Sequence, residues 1–385
     1  MKTLFIIVFC KILFASEIDS LEEAKGLESM SEPPKASQGA ERFRYRSYLL
    51  LELPARKVRA TQTSELNFPY AEASFSGTYE FGSRTQAFAD FIGNYTQSLR
   101  EFGFLLNQVG TRYQAADSWS FVLGKERNRR SPGLIISPSD FIHSTQNLPG
   151  FREDRLGVWL ARISHQTAKD AIELLYLPFP QNDSYGFPTG RAISYNFVGR
   201  YFRQLGLLDI AANVGYFNSW KAGASIQALI RNRWKFYFDF GFEEQRAGIV
   251  NKNSVWSVLT GAGYEGSDKI IPRLEFYRNG GALGLTDIAL LTPAAFTSTV
   301  QPFVRELYVI ASVSLVDVLR DFNFTPTIIK SLDDNALALV LRAERYLGSN
   351  HTLGTSAIYL NAHDTNQYRF AALDWQVTVD WKWSF

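Results

Sequence analysis

The sequence predicts an all-β chain that closes into a transmembrane, antiparallel, up-and-down β-barrel of about 18 strands. Three observations predict it. Long stretches alternate apolar and polar residues with a period of two. Their apolar faces are crowded with Trp, Tyr and Phe, which make up 15% of the 385 residues while charged residues make up 20%. The long gaps between the stretches fall only after odd-numbered ones.

The chain opens with Met1-Lys2-Thr3, an apolar run from Leu4 to Cys10, then Lys11 and Ile12-Leu13-Phe14-Ala15. A charged start, an apolar core and a small residue make residues 1–15 an expected export signal, cut near Ala15 or Ser16. Cys10 is the one cysteine and lies inside that segment, so the mature chain has neither disulfides nor thiolate metal sites. Losing Lys2 and Lys11 cancels the formal charge of +2. A neutral chain gives no electrostatic case for a nucleic-acid partner. Residues 16–41 are polar and include Pro33-Pro34, and we read them as a flexible periplasmic lead-in to a barrel spanning 42–385.

Beyond the leader no run of 18 apolar residues occurs, which argues against a helical span. Strands cross a membrane without such a run because their apolar residues are spaced by polar ones. The last stretch is the clearest: Leu373, Trp375, Val377, Val379, Trp381, Trp383 and Phe385 share one face, and Asp374, Gln376, Thr378, Asp380, Lys382 and Ser384 share the other. Trp234, Phe236, Phe238, Phe240 and Phe242 likewise oppose Lys235, Asp239 and Glu243. Leu337, Leu339 and Leu341 oppose Arg342 and Glu344, and Trp159, Ala161 and Ile163 oppose Arg162. The expected strands are 43–52, 70–81, 86–95, 100–111, 118–127, 155–166, 171–178, 192–203, 207–217, 221–230, 234–245, 254–265, 269–278, 303–317, 322–331, 335–346, 351–360 and 370–385.

Loop lengths supply a check that does not use hydrophobicity. With both termini in the periplasm, connections after odd strands are external and free to be long, and those after even strands are short turns. The long gaps 53–69, 128–154, 179–191, 246–253, 279–302 and 361–369 all follow odd strands. A soluble sandwich also alternates, but it would have to expose the Trp- and Phe-rich faces of many strands.

The closing Trp381-Lys382-Trp383-Ser384-Phe385 resembles the last strand of bacterial outer-membrane proteins, where a terminal aromatic is read by the barrel-assembly machinery. Trp375, Trp381, Trp383 and Phe385 are therefore expected as girdle and assembly-signal residues. Leu123-Gly124-Lys125-Glu126-Arg127, running on to Ile136-Ser137-Pro138-Ser139-Asp140-Phe141, resembles a strand-and-loop segment of alginate-export-like and related porins. The resemblance implies an outer-membrane location in a Gram-negative cell and a wide channel whose lumen selects small solutes by size and charge. It also implies contact with outer-membrane lipid and lipopolysaccharide.

Candidate chemistry is concentrated in basic residues. Arg127, Arg129, Arg130, Arg152 and Arg155 border the longest external gap. From Lys125 to Arg155 the basic side chains outnumber Glu126, Asp140, Glu153 and Asp154 by two. A narrow passage with low-dielectric walls focuses the field of such an excess, so the segment is expected to enter the lumen and favour anions. Arg162, Arg200, Arg342, Asp239 and Glu243 are expected on the lumen wall, where acids such as Glu173 and Glu344 could pair with the arginines.

No catalytic, metal or cofactor site is expected. His143, His165, His351 and His363 show no metal-binding spacing. Ser164-His165 would fit an outer-membrane lipase, but no Gly-x-Ser-x-Gly element accompanies it. An adhesive or structural surface barrel is the other alternative to a channel.

Overall fold

The computed structural model describes residues 43–58, 63–66, 70–96, 101–127, 132–142, 157–179, 195–246, 252–282, 303–317, 321–361 and 373–385. The leader and lead-in expected over 1–41 lie outside them.

The strands are β1 (Phe43–Val58), β2 (Thr63–Leu66), β3 (Tyr70–Glu80), β4 (Thr85–Thr96), β5 (Glu101–Ala116), β6 (Trp119–Glu126), β7 (Val158–Gln166), β8 (Asp170–Phe179), β9 (Asn196–Leu205) and β10 (Leu208–Tyr216). They continue as β11 (Trp220–Ile230), β12 (Trp234–Arg246), β13 (Lys252–Tyr264), β14 (Ile270–Arg278), β15 (Leu307–Leu315), β16 (Phe322–Ser331), β17 (Leu337–Tyr346), β18 (His351–Asn361) and β19 (Leu373–Ser384). All pairings are antiparallel; apart from β1 with β3 they join chain neighbours, and β1 also pairs with β19, so the sheet closes on itself. β2 and β3 both pair with the same side of β1 and act as one interrupted strand, which makes a closed barrel of 18 strands. Closure removes the unpaired edges that a membrane would not tolerate.

Most boundaries shift by a few residues, and β5 extends five further to Ala116. The gap expected over 53–69 is partly strand, because β1 runs on to Val58 and pairs there with Thr63–Leu66. Pro54 is the reason the sequence reads as a break, since proline withholds a ladder donor. It falls between the pairs Glu52↔Tyr70 and Ala55↔Leu66, where β2 and β3 are interrupted.

Alternation fixes the two faces of the wall. Outward positions include Phe236, Phe238, Leu174, Ile226 and Trp256, all exposed, as a lipid-facing surface requires. Aromatic pairs gather near both ends of the strands. At the short-turn end lie Tyr79–Phe81 at 4.8 Å, Trp234–Tyr264 at 4.9 Å and Trp383–Phe385 at 5.2 Å between ring centroids. At the loop end lie Tyr176–Phe197 at 5.1 Å and Tyr216–Trp220 at 5.4 Å. Short turns use left-handed residues where two strands reverse tightly, as at Gly206 (φ 65°) and Gly348 (φ 83°), which carry no Cβ penalty.

Candidate functional site

The inward wall is where the chemistry collects, and residues 132–142 lie against it. Backbone amides of this segment donate to wall carboxylates: Leu134 N to Glu275 Oε1 at 2.6 Å and Ser139 N to Asp239 Oδ1 at 3.2 Å. Ser137 Oγ donates to Asp239 Oδ2 at 2.8 Å, and Asn213 Nδ2 donates to the Ser139 carbonyl at 2.9 Å. The hydroxyl of Tyr237 donates to Glu275 as well. Asp239, Glu275 and Asn213 come from β12, β14 and β10, so the segment spans several strands.

Two glycines on facing strands make the approach close. Gly223 of β11 pairs with Gly241 of β12. A Cβ at Gly241 would stand 2.0 Å from the Pro138 carbonyl oxygen, and one at Gly223 would stand 2.7 Å from the Ser139 Cα. No side chain fits at either place while Pro138 and Ser139 keep their positions.

Apolar contacts complete the attachment. Ile135 and Ile136 pack into a buried cluster with Tyr237, Leu259, Tyr308 and Ile310, among others. A second cluster, of Val122, Leu160, Leu175, Leu177 and Val198, receives Ile142 and Phe217. The inward face is therefore apolar in part, and Ile135, Ile136 and Ile142 of the inserted segment pack against those apolar patches.

A belt of alternating charge crosses five neighbouring strands beside this segment. Arg112 of β5 meets Glu126 of β6 at 3.0 Å, and Arg162 of β7 meets Glu126 at 2.9 Å and Glu173 of β8 at 3.0 Å. Arg200 of β9 meets Glu173 at 3.9 Å and Asp140 of the inserted segment at 3.1 Å. Arg162, Glu173, Arg200 and Asp140 are buried, so each charge needs its neighbour. Three guanidiniums balance three carboxylates along the belt.

The other expected residues fall as follows. Arg342 faces inward and pairs with Asp380 at 2.5 Å and Glu344 at 2.7 Å. Gly354 leaves room for that pair, since its Cβ would lie 2.3 Å from Asp380 Oδ1. Asp239 is buried beneath the segment, and Glu243 pairs with Lys221. Arg127 donates from Nε to Asn107 Oδ1 at 3.1 Å and approaches Asp90 at 3.7 Å. Arg129, Arg130, Arg152 and Arg155 lie outside the described residues, as do His143 and His363.

Of the girdle candidates, Trp375, Trp381 and Trp383 lie on β19 and Phe385 follows it; Trp375 and Trp381 are half-buried, while Trp383 and Phe385 are exposed. Alternation separates Ser164 from His165. The serine faces inward to Ser120 at 3.0 Å, whereas His165 meets Trp119 outside with the rings tilted and their centroids 4.7 Å apart.

Sequence reasoning singles out neither Glu275 nor the Gly223–Gly241 pair. The glycines leave a trace, for both occupy inward positions of otherwise regular strands.

No family profile matches the sequence, and no curated protein sequence matches it. The fold, however, is similar to solved outer-membrane structures. Acinetobacter baumannii OccAB4 superposes with a TM-score of 0.59 at 8% identity, covering 90% of this chain and 99% of that one. Pseudomonas aeruginosa OccK11 (OpdR) gives 0.59 at 10% identity, covering 91% and 99%. Pseudomonas aeruginosa OccK2 (OpdF), solved in complex with glucuronate, gives 0.56 at 9% identity, covering 89% and 98%.

Proposed function

We propose that this barrel is an outer-membrane channel for passive diffusion of small solutes, narrowed by the segment 132–142. The observation that carries the reading is the combination of a closed 18-strand wall, an aromatic-rich outer face and a segment pinned inside by hydrogen bonds from three strands. A closed barrel of this width encloses an aqueous passage unless something occupies it. An inward segment then sets how large a solute passes.

The fate of the charge pattern follows from pairing, which separates two groups of arginines. Arg162, Arg200 and Arg342 hold carboxylates and shape the wall. Anion preference rests instead on the excess between Lys125 and Arg155, with Arg127, which also approaches Asp90, and Arg129, Arg130, Arg152 and Arg155 bordering the passage. Small carboxylates are the solute class we propose, supported by the glucuronate held by OccK2. We also propose that residues 1–15 direct export, that the assembly machinery reads the closing strand, and that the loop rim meets lipopolysaccharide. The lipase alternative loses its support, because a nucleophile and base on opposite faces of one strand cannot share a proton.

Single-channel recording on refolded protein tests the reading. Discrete conductance steps and an anion-favouring reversal potential in a salt gradient are expected, with glucuronate reducing the current. In an Arg127→Gln/Arg129→Gln/Arg130→Gln variant the reversal potential is expected to shift toward cations. Folded protein that never conducts would reject the channel, and an unchanged reversal potential in the variant would reject the constriction.

A further inference from the structure

We infer that the outer face of the β11–β12 hairpin carries a binding site for the phosphate headgroup of an anionic glycerophospholipid. The site is a cleft of about 540 Å³ lined by Arg231, Arg233, Trp234, Tyr264 and Pro272. It lies at the short-turn end of the barrel, which on the channel reading above is the periplasmic end, where the neighbouring leaflet is phospholipid.

The turn is built to present its two arginines. Arg233 N donates to the Ile230 carbonyl at 3.1 Å, and Arg231 and Asn232 both occupy the left-handed region, at φ 54° and 52°. In this three-residue connection, two successive left-handed positions favour Asn, Asp or Gly. Among the described residues, Arg231 is the one cationic side chain held at positive φ. A residue kept against local preference points to a use for its side chain.

Charge points the same way. Glu265, whose backbone amide donates to the Arg233 carbonyl, is drawn inward by Lys235 and Arg273, each at 3.7 Å. No carboxylate of the described residues lies within ion-pair distance of Arg231 or Arg233. Two exposed guanidiniums at one turn match a phosphate diester bearing a net negative charge. A zwitterionic headgroup would bring its ammonium toward the second guanidinium and lose part of that attraction.

The remaining walls suit the rest of a lipid. Trp234 and Tyr264 meet edge to face on the outward surface, and Pro272 closes the side. Indole and phenol rings at the level of the headgroups give an apolar bed for glycerol and the first acyl carbons. Gly266 adds room, because its Cβ would lie 2.6 Å from both Arg233 Cγ and the Tyr264 ring. A cleft of similar volume near the loop end, lined by Phe197, Val214, Tyr216 and Trp220, contains no cation. That cleft accepts a chain without selecting a headgroup.

The test counts lipids retained on the full refolded chain by native mass spectrometry. Phosphatidylglycerol is compared with phosphatidylcholine of the same acyl chains, and heat-modifiable migration checks folding. Wild type is expected to retain phosphatidylglycerol preferentially. Arg231→Gln/Arg233→Gln should cut that retention by about tenfold, the scale of a lost charge-assisted hydrogen bond. Lys169→Gln, in another short turn, should leave it unchanged.

Equal retention by wild type and the double variant would overturn the site. Should the double variant fail to fold, the single Arg233→Gln variant carries the same comparison. Displacement of the lipid by inorganic phosphate, with no effect of Trp234→Ser, would identify a free-phosphate site and overturn the lipid assignment. Absence of conductance in a separate bilayer recording would count against the channel reading alone, because lipid retention does not require an open passage.

Discussion

Glu173 serves two guanidiniums with one carboxylate, Arg162 at 3.0 Å and Arg200 at 3.9 Å, in a part of the wall that water does not reach. Removing one member of a buried pair leaves its partner charged and unsolvated, at a cost of about 3–5 kcal/mol. Arg200→Ala removes a guanidinium from both Glu173 and Asp140, so part of the cost falls on the inserted segment. The expected result is faster hydrogen exchange at the Ser139 amide with strand amides still protected, and unchanged exchange there would show that Asp140 does not anchor the segment. The two pairs differ in how far the sequence reveals them. Arg162 and Glu173 flank the turn Thr167–Lys169, and hairpin register sets Ser164 opposite Glu173, so their meeting is legible. Arg200 and Asp140 are 60 residues apart, and Asp140 belongs to a segment whose path no periodicity encodes.

The inserted segment and the hairpin beneath it form one unit. Gly241→Ala forces a Cβ to within 2.0 Å of the Pro138 carbonyl, so either the segment lifts or the strand bends. Overpacking of this kind costs about 1–3 kcal/mol. We expect Gly241→Ala to fold into a heat-modifiable barrel with higher unit conductance, because the strand keeps its ladder while the segment loses its seat. Gly93→Ala is the control, since the nearest atom to its Cβ is 3.9 Å away and conductance should not change. The same conductance in both variants would mean that the segment does not restrict the passage. Strands are legible in this chain because period-two alternation is local. The seat of the segment is not, because a glycine within a strand reads as weak propensity until the residue pressed against it is known.

At the scale of the whole molecule the seam decides whether the wall closes. Trp383 pairs with Leu49, and Ser47 and Phe385 exchange backbone hydrogen bonds of 3.2 and 2.9 Å. Deleting Trp383-Ser384-Phe385 removes these contacts together with two outward aromatics. We expect a sharply lower yield of heat-modifiable barrel in membranes, and a normal yield would show that the seam tolerates a shorter β19. The closed topology is legible from loop parity, since an odd count of strands would place the two ends on opposite sides. The pairing of β1 with β19 also has a temporal side. Its partners at Ser47 and Phe385 are 338 residues apart, so at about 5–20 residues per second the first is made on the order of half a minute before the second. Throughout that interval one flank of β1 is an open template for any other extended chain, with Leu49, Leu51 and Leu53 on one face. The seam therefore imposes a waiting time, and the unassembled chain must be kept apart from its own copies until its last strand arrives.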